Sequence, residues 1–129
     1  MSYGTSVTVD LPFADAVGQV RAALAENGFG VLTEIDVTAT LRARLGEKME
    51  DYIILGACNP PAAHQALGID RSIGLLLPCN VVVRATAAGT LVEALDPQVM
   101  VTLTGQPELK PVADDVGRRL ARALAALTP

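Results

Sequence analysis

Apolar and polar positions follow regular spacings along most of this chain. From Thr5 to Leu11 they alternate, and a period of two is typical of a half-buried β-strand. From Pro12 to about Glu26 apolar residues recur at helical spacing instead. The Asn27-Gly28 pair that follows supplies a C-cap, so this segment is predicted to form the first helix. A second long apolar stripe, which starts near Glu108 to Val112 and continues to Leu127, predicts the last helix.

The middle of the chain predicts most of the sheet. Tyr52 to Cys58 is almost continuously apolar, which suits a central strand that is covered on both faces. Further strands are predicted at Phe29 to Ile35, Cys79 to Thr86 and Leu91 to Leu95, the last two joined by a hairpin. Short helices are predicted at Val37 to Leu45, with Asp36 or Thr38 as the cap, and at Pro61 to Leu67. Two segments fit two structures each: Ile73 to Leu77 a strand or a buried loop, and Val99 to Leu103 a strand or a short helix.

This order of elements predicts an α+β fold in a single two-layer domain that spans residues 1–129. We expect a mixed sheet of four to six strands, with the helices mainly on one face. The first strand, first helix and second strand are expected to form a right-handed βαβ unit. Neither a repeat nor a linker interrupts the chain.

The composition of the chain excludes several classes of protein and of partner. Half of the 129 residues are apolar and only 19% are charged, which excludes a disordered chain. The net charge of −4, without a basic cluster interleaved with aromatic residues, argues against a nucleic-acid partner. No apolar run reaches the ~18 residues that a membrane-spanning helix needs, so no membrane partner is expected. The first residues lack a signal sequence, which makes the cytoplasm the expected location. The positive mean hydropathy gives mild support for an apolar surface through which the protein associates with itself.

The candidate chemistry is concentrated between Tyr52 and Val83. Cys58 lies at the end of a predicted strand just before a helix, where amide N–H groups can stabilise a thiolate. Cys79 lies near the start of another strand, and His64 lies one turn into the helix between them. Asn59 and Asn80 follow the two cysteines directly. These five residues are the predicted ligand-binding residues, because polar groups that converge on apolar strand ends are typical of a ligand pocket.

The same residues have plainer explanations. A free cysteine is often a small apolar core residue, and an Asn beside Pro is often a cap or turn residue. Neither a C-x-x-C nor an H-x-x-x-H spacing is present, and Cys58, Cys79 and His64 are one ligand short of a zinc site. We therefore predict no metal site and no catalytic residues, and the sequence identifies no cofactor. Glu34 and Asp36 would share one face of a strand, but Asp36 is the better helix cap.

Several segments together resemble the domain-of-unknown-function family 302. They are Gly28-Phe29-Gly30-Val31-Leu32, Ile35-Asp36-Val37, Tyr52 to Pro60 with its Gly-x-Cys-Asn-Pro ending, Ala66-Leu67, Leu75 to Val83 with Leu-Leu-Pro-Cys, and Asp96-Pro97 after a hairpin. The resemblance covers about Tyr3 to Leu103. It implies a small α+β domain that pairs into a homodimer. As the family's name says, it implies no established activity.

Three hypotheses about function follow. The first is a homodimeric small-ligand-binding or accessory protein, with a pocket beside Cys58, Asn59, His64 and Cys79. The second is a thiol-redox or metal-binding protein that uses Cys58, Cys79 and His64, which requires the two sulfur atoms to be close together. The third is a purely structural or interaction module.

Overall fold

A computed structural model describes residues 2–127, so residues 1, 128 and 129 of the predicted 1–129 domain lie outside the described part. Within residues 2–127 the chain forms five strands, five α-helices and two short 3₁₀ segments. In chain order they are β1 Gly4–Val9, α1 Phe13–Glu26, β2 Gly30–Asp36, α2 Val37–Leu45, β3 Tyr52–Cys58, α3 Pro60–Ile69, a 3₁₀ segment Arg71–Leu76, β4 Cys79–Thr86, β5 Gly89–Leu95, α4 Gln98–Thr104, a 3₁₀ segment Pro107–Leu109, and α5 Lys110–Ala125.

The five strands form one open sheet in the order β1-β5-β4-β3-β2. The α+β class and the predicted strand number are therefore confirmed. The expected mixed sheet is a correction, because every neighbouring pair is antiparallel. Strands β1 and β2 do run in the same direction, but they form the two edges with three strands between them. Consequently α1 connects the two edges of the sheet rather than two neighbouring strands.

The sheet has one face covered by helices. On β4, Val81 and Val83 are buried there, and Leu55, Val92 and Ala94 of the adjacent strands join them. Apolar residues of α1, α3, α4 and α5 complete this core: Ala16, Val20, Leu24, Ala62, Ala66, Met100, Val112, Val116, Leu120 and Ala123. The predicted stripes of the first and last helices thus pack where their periodicity indicated.

The opposite face of the sheet is called the open face here. Across it, one row of paired positions runs through Ser6, Glu93, Val82, Ile54 and Ile35, one residue from each strand. None of these side chains is buried, and Ile35 is 49% exposed. The alternation that buries Val81 and Val83 therefore leaves Val82 on the other side.

Local sequence explains the remaining element boundaries. Asp36 caps α2 by accepting a hydrogen bond from the amide of Ala39 at 2.9 Å. Val99 to Leu103 belongs to α4, so the helical alternative is correct for this segment. Ile73 to Leu77 is a 3₁₀ segment followed by loop, so the strand alternative is wrong there. Within residues 2–127, no helix is both long enough and apolar enough to cross a membrane.

Candidate functional site

The ends of β3 and β4 border a small cavity in the core. Cys58, Asn59 and Cys79 line it, together with residues of α3, α4 and α5 and the side chain of Phe29. Its volume is about 20 Å³. A cavity needs roughly 10–15 Å³ to hold one water, so this one offers the space of a single water molecule.

The two cysteines are free thiols in different environments. Cys79 is only 6% exposed, whereas Cys58 is partly exposed. Burial, and to a smaller extent the nearby Cys58, raise the pKa of the Cys79 thiol from 9.0 to about 11. Cys79 is therefore protonated at neutral pH, which makes it a poor nucleophile and a poor metal ligand.

Strand register separates the directions of the two thiols. Cys79 pairs with Ala57, so Cys58 lies one position further along β3. Because successive side chains of a strand point to opposite faces, Cys58 and Cys79 start out in opposite directions although they border one cavity. Among the described residues, no three His, Cys, Asp or Glu side chains are close enough together to hold a metal ion.

Asn59 has both of its side-chain polar groups engaged within the fold. Its Oδ1 accepts a hydrogen bond from the amide of Ala62 at 3.0 Å and so caps α3. Its Nδ2 donates to the carbonyl of Gly28, in the loop between α1 and β2, at 2.9 Å. Arg119 of α5 donates to the carbonyl of Asn27 in the same loop. Asn59 therefore ties β3, α3 and this loop together, as the cap interpretation expected.

The other two predicted residues lie apart from the cavity. His64 is exposed on α3 and does not line it. Asn80 follows Cys79 on β4, and the alternation of the strand places it on the open face. The structure thus brings Cys58, Asn59 and Cys79 together, and leaves His64 and Asn80 elsewhere.

Asn80 borders a larger space, a groove on the open face with a volume of about 210 Å³. Its floor and walls come from β1, β3, β4, β5 and the residue before β1. The lining residues are Tyr3, Gly4, Tyr52, Asn80, Val82, Glu93, Ala94 and Leu95. We call this space the tyrosine groove, because both tyrosines of the chain line it.

The charge in the tyrosine groove belongs to Glu93. Arg84, two positions along β4 from Val82, donates from Nε to Oε1 of Glu93 at 2.9 Å. This hydrogen bond is the main reason that the pKa of Arg84 is raised. The bond fixes the carboxylate in position, and a carboxylate has lone pairs left for further donors.

Strand β3 is closely approached by its neighbours at Gly56, which is paired with Asn80 of β4 on one side and with Thr33 of β2 on the other. A side chain at position 56 would collide with Oγ1 of Thr33 and would come within 2.8 Å of Cγ of Pro78. Glycine is therefore required at position 56, because the side chains of Thr33 and Pro78 occupy the space that a larger residue would need.

Sequence reasoning missed Tyr3, Tyr52 and Glu93 as neighbours of Asn80. A signal was present in β4, where Asn80, Val82 and Arg84 alternate with the buried residues. An apolar residue at the outward position 82 indicates a second surface that is suited to contact rather than to solvent.

Fold and site together define a small α+β domain with one covered and one open sheet face, the open face carrying a groove. The family described as "Domain of unknown function DUF302" matches residues 5–127, and the chain belongs to this family. It is also similar to the crystal structure of an uncharacterized conserved DUF302 protein from Bacillus stearothermophilus. The two are 28% identical with a TM-score of 0.91, over 98% of this chain and 99% of that one. No curated protein matches this chain.

Proposed function

We propose that this protein is a homodimeric small-molecule-binding protein of the cytoplasm, in which the open face is both the subunit interface and the place of the ligand site. The observation that carries this proposal is a second apolar surface. Ile54, Val82, Leu91 and Leu95 lie on the open face and are not among the residues packed against the core. Apolar side chains in such an arrangement are typical of a surface that another molecule covers.

A second copy of the chain suits this surface electrostatically. The charged side chains in its middle, Arg84 and Glu93, already neutralise each other. A twofold axis brings identical surfaces together, so an unpaired charge at the centre would face its own copy and be repelled. Polar residues without charge, Ser6 and Thr8, lie on the edge strand β1 of the same face. The open face therefore meets a copy of itself without like-charge contact.

The size of the open face also fits a dimer. Five strands at a spacing of ~4.8 Å, each about seven residues long, give a sheet of roughly 550 Å² in projection. A standard interface buries about 800 Å² of accessible surface on each partner. Side chains roughen a sheet, so its accessible area exceeds its projected area. One open face thus supplies most of what a stable interface requires.

The tyrosine groove gives the dimer a ligand site. An apolar cavity of about 150 Å³ accepts a molecule of the size of benzene. The groove, at about 210 Å³, has room for a somewhat larger molecule. It opens away from the core, so a second copy packed on the open face would close it. The free thiols of Cys58 and Cys79 agree with the proposed reducing compartment.

The test is the mass of the protein in solution, measured by light scattering after size-exclusion chromatography. We expect the mass of two chains of 13.4 kDa each for the unmodified protein. Val82→Glu places a charge in the middle of the open face and should give the mass of one chain. Leu91→Lys, on the adjacent strand, is a second variant for the case that Val82→Glu does not fold. Circular dichroism checks that both variants keep their helices and strands.

The matched control is Leu103→Glu. Leu103 is 67% exposed on α4, away from the open face, so the same kind of change there should leave the dimer intact. A single-chain mass for the unmodified protein at concentrations up to hundreds of micromolar would refute the proposed dimer. So would a folded Val82→Glu variant that retains the mass of two chains.

A further inference from the structure

We propose that the tyrosine groove binds a small organic cation of the alkylammonium class, held by the carboxylate of Glu93 and by the aromatic faces of Tyr3 and Tyr52. This inference rests on the proposed function, because it assigns a ligand class to the same site.

The charged side chain that lines the groove is negative. Among residues 2–127, Glu93 is the one charged side chain that lines the groove, and no lysine, arginine or histidine of this part of the chain lines it. Arg84 contacts Glu93 through Oε1 but is not a lining residue. Glu93 is thus the groove side of this ion pair and Arg84 its outer side, so a ligand meets the negative end of the pair, which favours a positively charged ligand over phosphates and carboxylates.

The groove also collects the tyrosines of the chain. The chain contains only two tyrosines and no tryptophan, and both tyrosines line this one groove. They are 49 residues apart in the sequence, on the segment before β1 and at the start of β3, so chain proximity does not explain why both line the same groove. The negative face of an aromatic ring attracts a cation, and quaternary ammonium ligands are recognised by this type of surface.

The floor of the groove is apolar. Val82 and Leu95 lie between the two tyrosines, and Asn80 adds a neutral amide at the side. Alkyl groups on a nitrogen fit such a floor, whereas a bare metal ion needs several oxygen ligands that the groove does not supply. The volume admits a ligand of roughly six to ten heavy atoms, by comparison with cavities that hold benzene.

Choline is a suitable probe, since it has an uncharged analogue of the same shape, in which a tert-butyl group replaces the trimethylammonium group. Both compounds are titrated into the full-length protein, and binding is followed by the NMR shifts of backbone amides. We expect choline to shift the amides of Tyr52, Val82 and Glu93. We expect the uncharged analogue to bind about tenfold more weakly or less, as the loss of a cation–π and a carboxylate contact requires.

Variants separate the contributions of the groove residues. Glu93→Gln keeps an acceptor for Arg84 but removes the charge, and it should weaken choline binding by about tenfold with little effect on the analogue. The control is Glu34→Gln, which removes the same charge from an ion pair with Arg21 outside the groove. That variant should bind choline as the unmodified protein does.

The outcomes distinguish this inference from the proposed function. Equal affinities for choline and its uncharged analogue at the groove would overturn the cation inference and leave a small-molecule site in place. Absence of any shift at the groove with millimolar choline, in a protein that has the mass of a dimer, would overturn the ligand class but not the subunit interface. Choline shifts that Glu93→Gln leaves unchanged would refute the role of the carboxylate.

Discussion

Replacing Asn59 with alanine tests whether this predicted ligand residue is instead a structural tie. The side chain is 8% exposed and makes two hydrogen bonds, one to the first turn of α3 and one to the loop between α1 and β2. Asn59→Ala removes both. Asn59→Ser keeps a cap oxygen for the amide of Ala62 but cannot reach the carbonyl of Gly28 as an amide donor does.

The expected loss of stability follows from the two bonds. Loss of an N-cap costs about 1 kcal/mol, within a range of roughly 0.5–2 kcal/mol. The bond to Gly28 is worth about 1 kcal/mol, because Gly28 is exposed and water can replace part of it. We therefore expect Asn59→Ala to cost about 2 kcal/mol and Asn59→Ser about half of that. Asp36→Ala, which removes the exposed cap of α2 without any second bond, should cost about 1 kcal/mol or less.

The assay is urea-induced unfolding of all variants at one protein concentration. Concentration must be fixed, because the stability of the proposed dimer would depend on it. The unmodified protein should be the most stable, followed by Asn59→Ser and then Asn59→Ala. The slope of the free energy of unfolding against urea concentration should be the same for all three. Equal stabilities for the serine and alanine variants would show that the cap oxygen contributes nothing. A loss below about 0.5 kcal/mol for Asn59→Ala would refute the structural role as a whole.

Three further predictions concern the buried thiol of Cys79, the close approach at Gly56 and the exposed helix position Gly18. Burial raises the pKa of the Cys79 thiol from 9.0 to about 11, so the unfolded chain loses this proton at a lower pH than the folded chain does. The contribution of Cys79 to the free energy of unfolding is therefore complete below pH 9 and is lost as the pH rises to about 11. Cys79→Ala should flatten the pH dependence of unfolding in that window, by about 2–3 kcal/mol in total; an unchanged slope would contradict the burial argument. Gly56→Ala should lower the free energy of unfolding by about 1–3 kcal/mol. Adding Thr33→Ala to this variant should restore part of the lost stability, because it removes the atom with which the new methyl group collides. Gly18→Ala, on the exposed side of α1 where a methyl group meets open space, should instead raise stability by about 0.5–1 kcal/mol.

The elements of this fold could be predicted because their signals are local. The alternation in β4 and the stripe of α5 each depend on residues a few positions apart, and burial of one face follows directly. The arrangement of the strands could not be predicted in the same way. Strand β1 pairs with β5, more than 80 residues later, and no periodicity within β1 identifies that partner. The mixed sheet was therefore expected from chain order alone, and the actual pairing is antiparallel throughout.

The predicted ligand-binding residues lie in separate places, and the strand alternation that separates them can be read from the sequence. Cys79 and Asn80 are neighbours in a strand, and neighbours in a strand point to opposite faces. Grouping them in one pocket ignored this alternation, whereas Cys58 and Asn59 stay together because the strand ends and α3 begins between them. Tyr3 and Tyr52 line one groove because the strands lie in the order β1-β5-β4-β3, so their common place could not be foreseen without the sheet order.

The separation of these residues between the two faces of the sheet also indicates which face is better suited to binding. On the covered face the polar groups are used by the structure: Asn59 caps and bridges, and Cys79 is held protonated in the core. On the open face, no side-chain hydrogen bond of Asn80 within residues 2–127 caps or bridges an element, and the apolar Val82 stays partly exposed. Residues whose identity the fold does not require are the ones that binding must explain. The open face and its groove are therefore the better place to look for the activity of this chain than the cysteines that dominate its sequence.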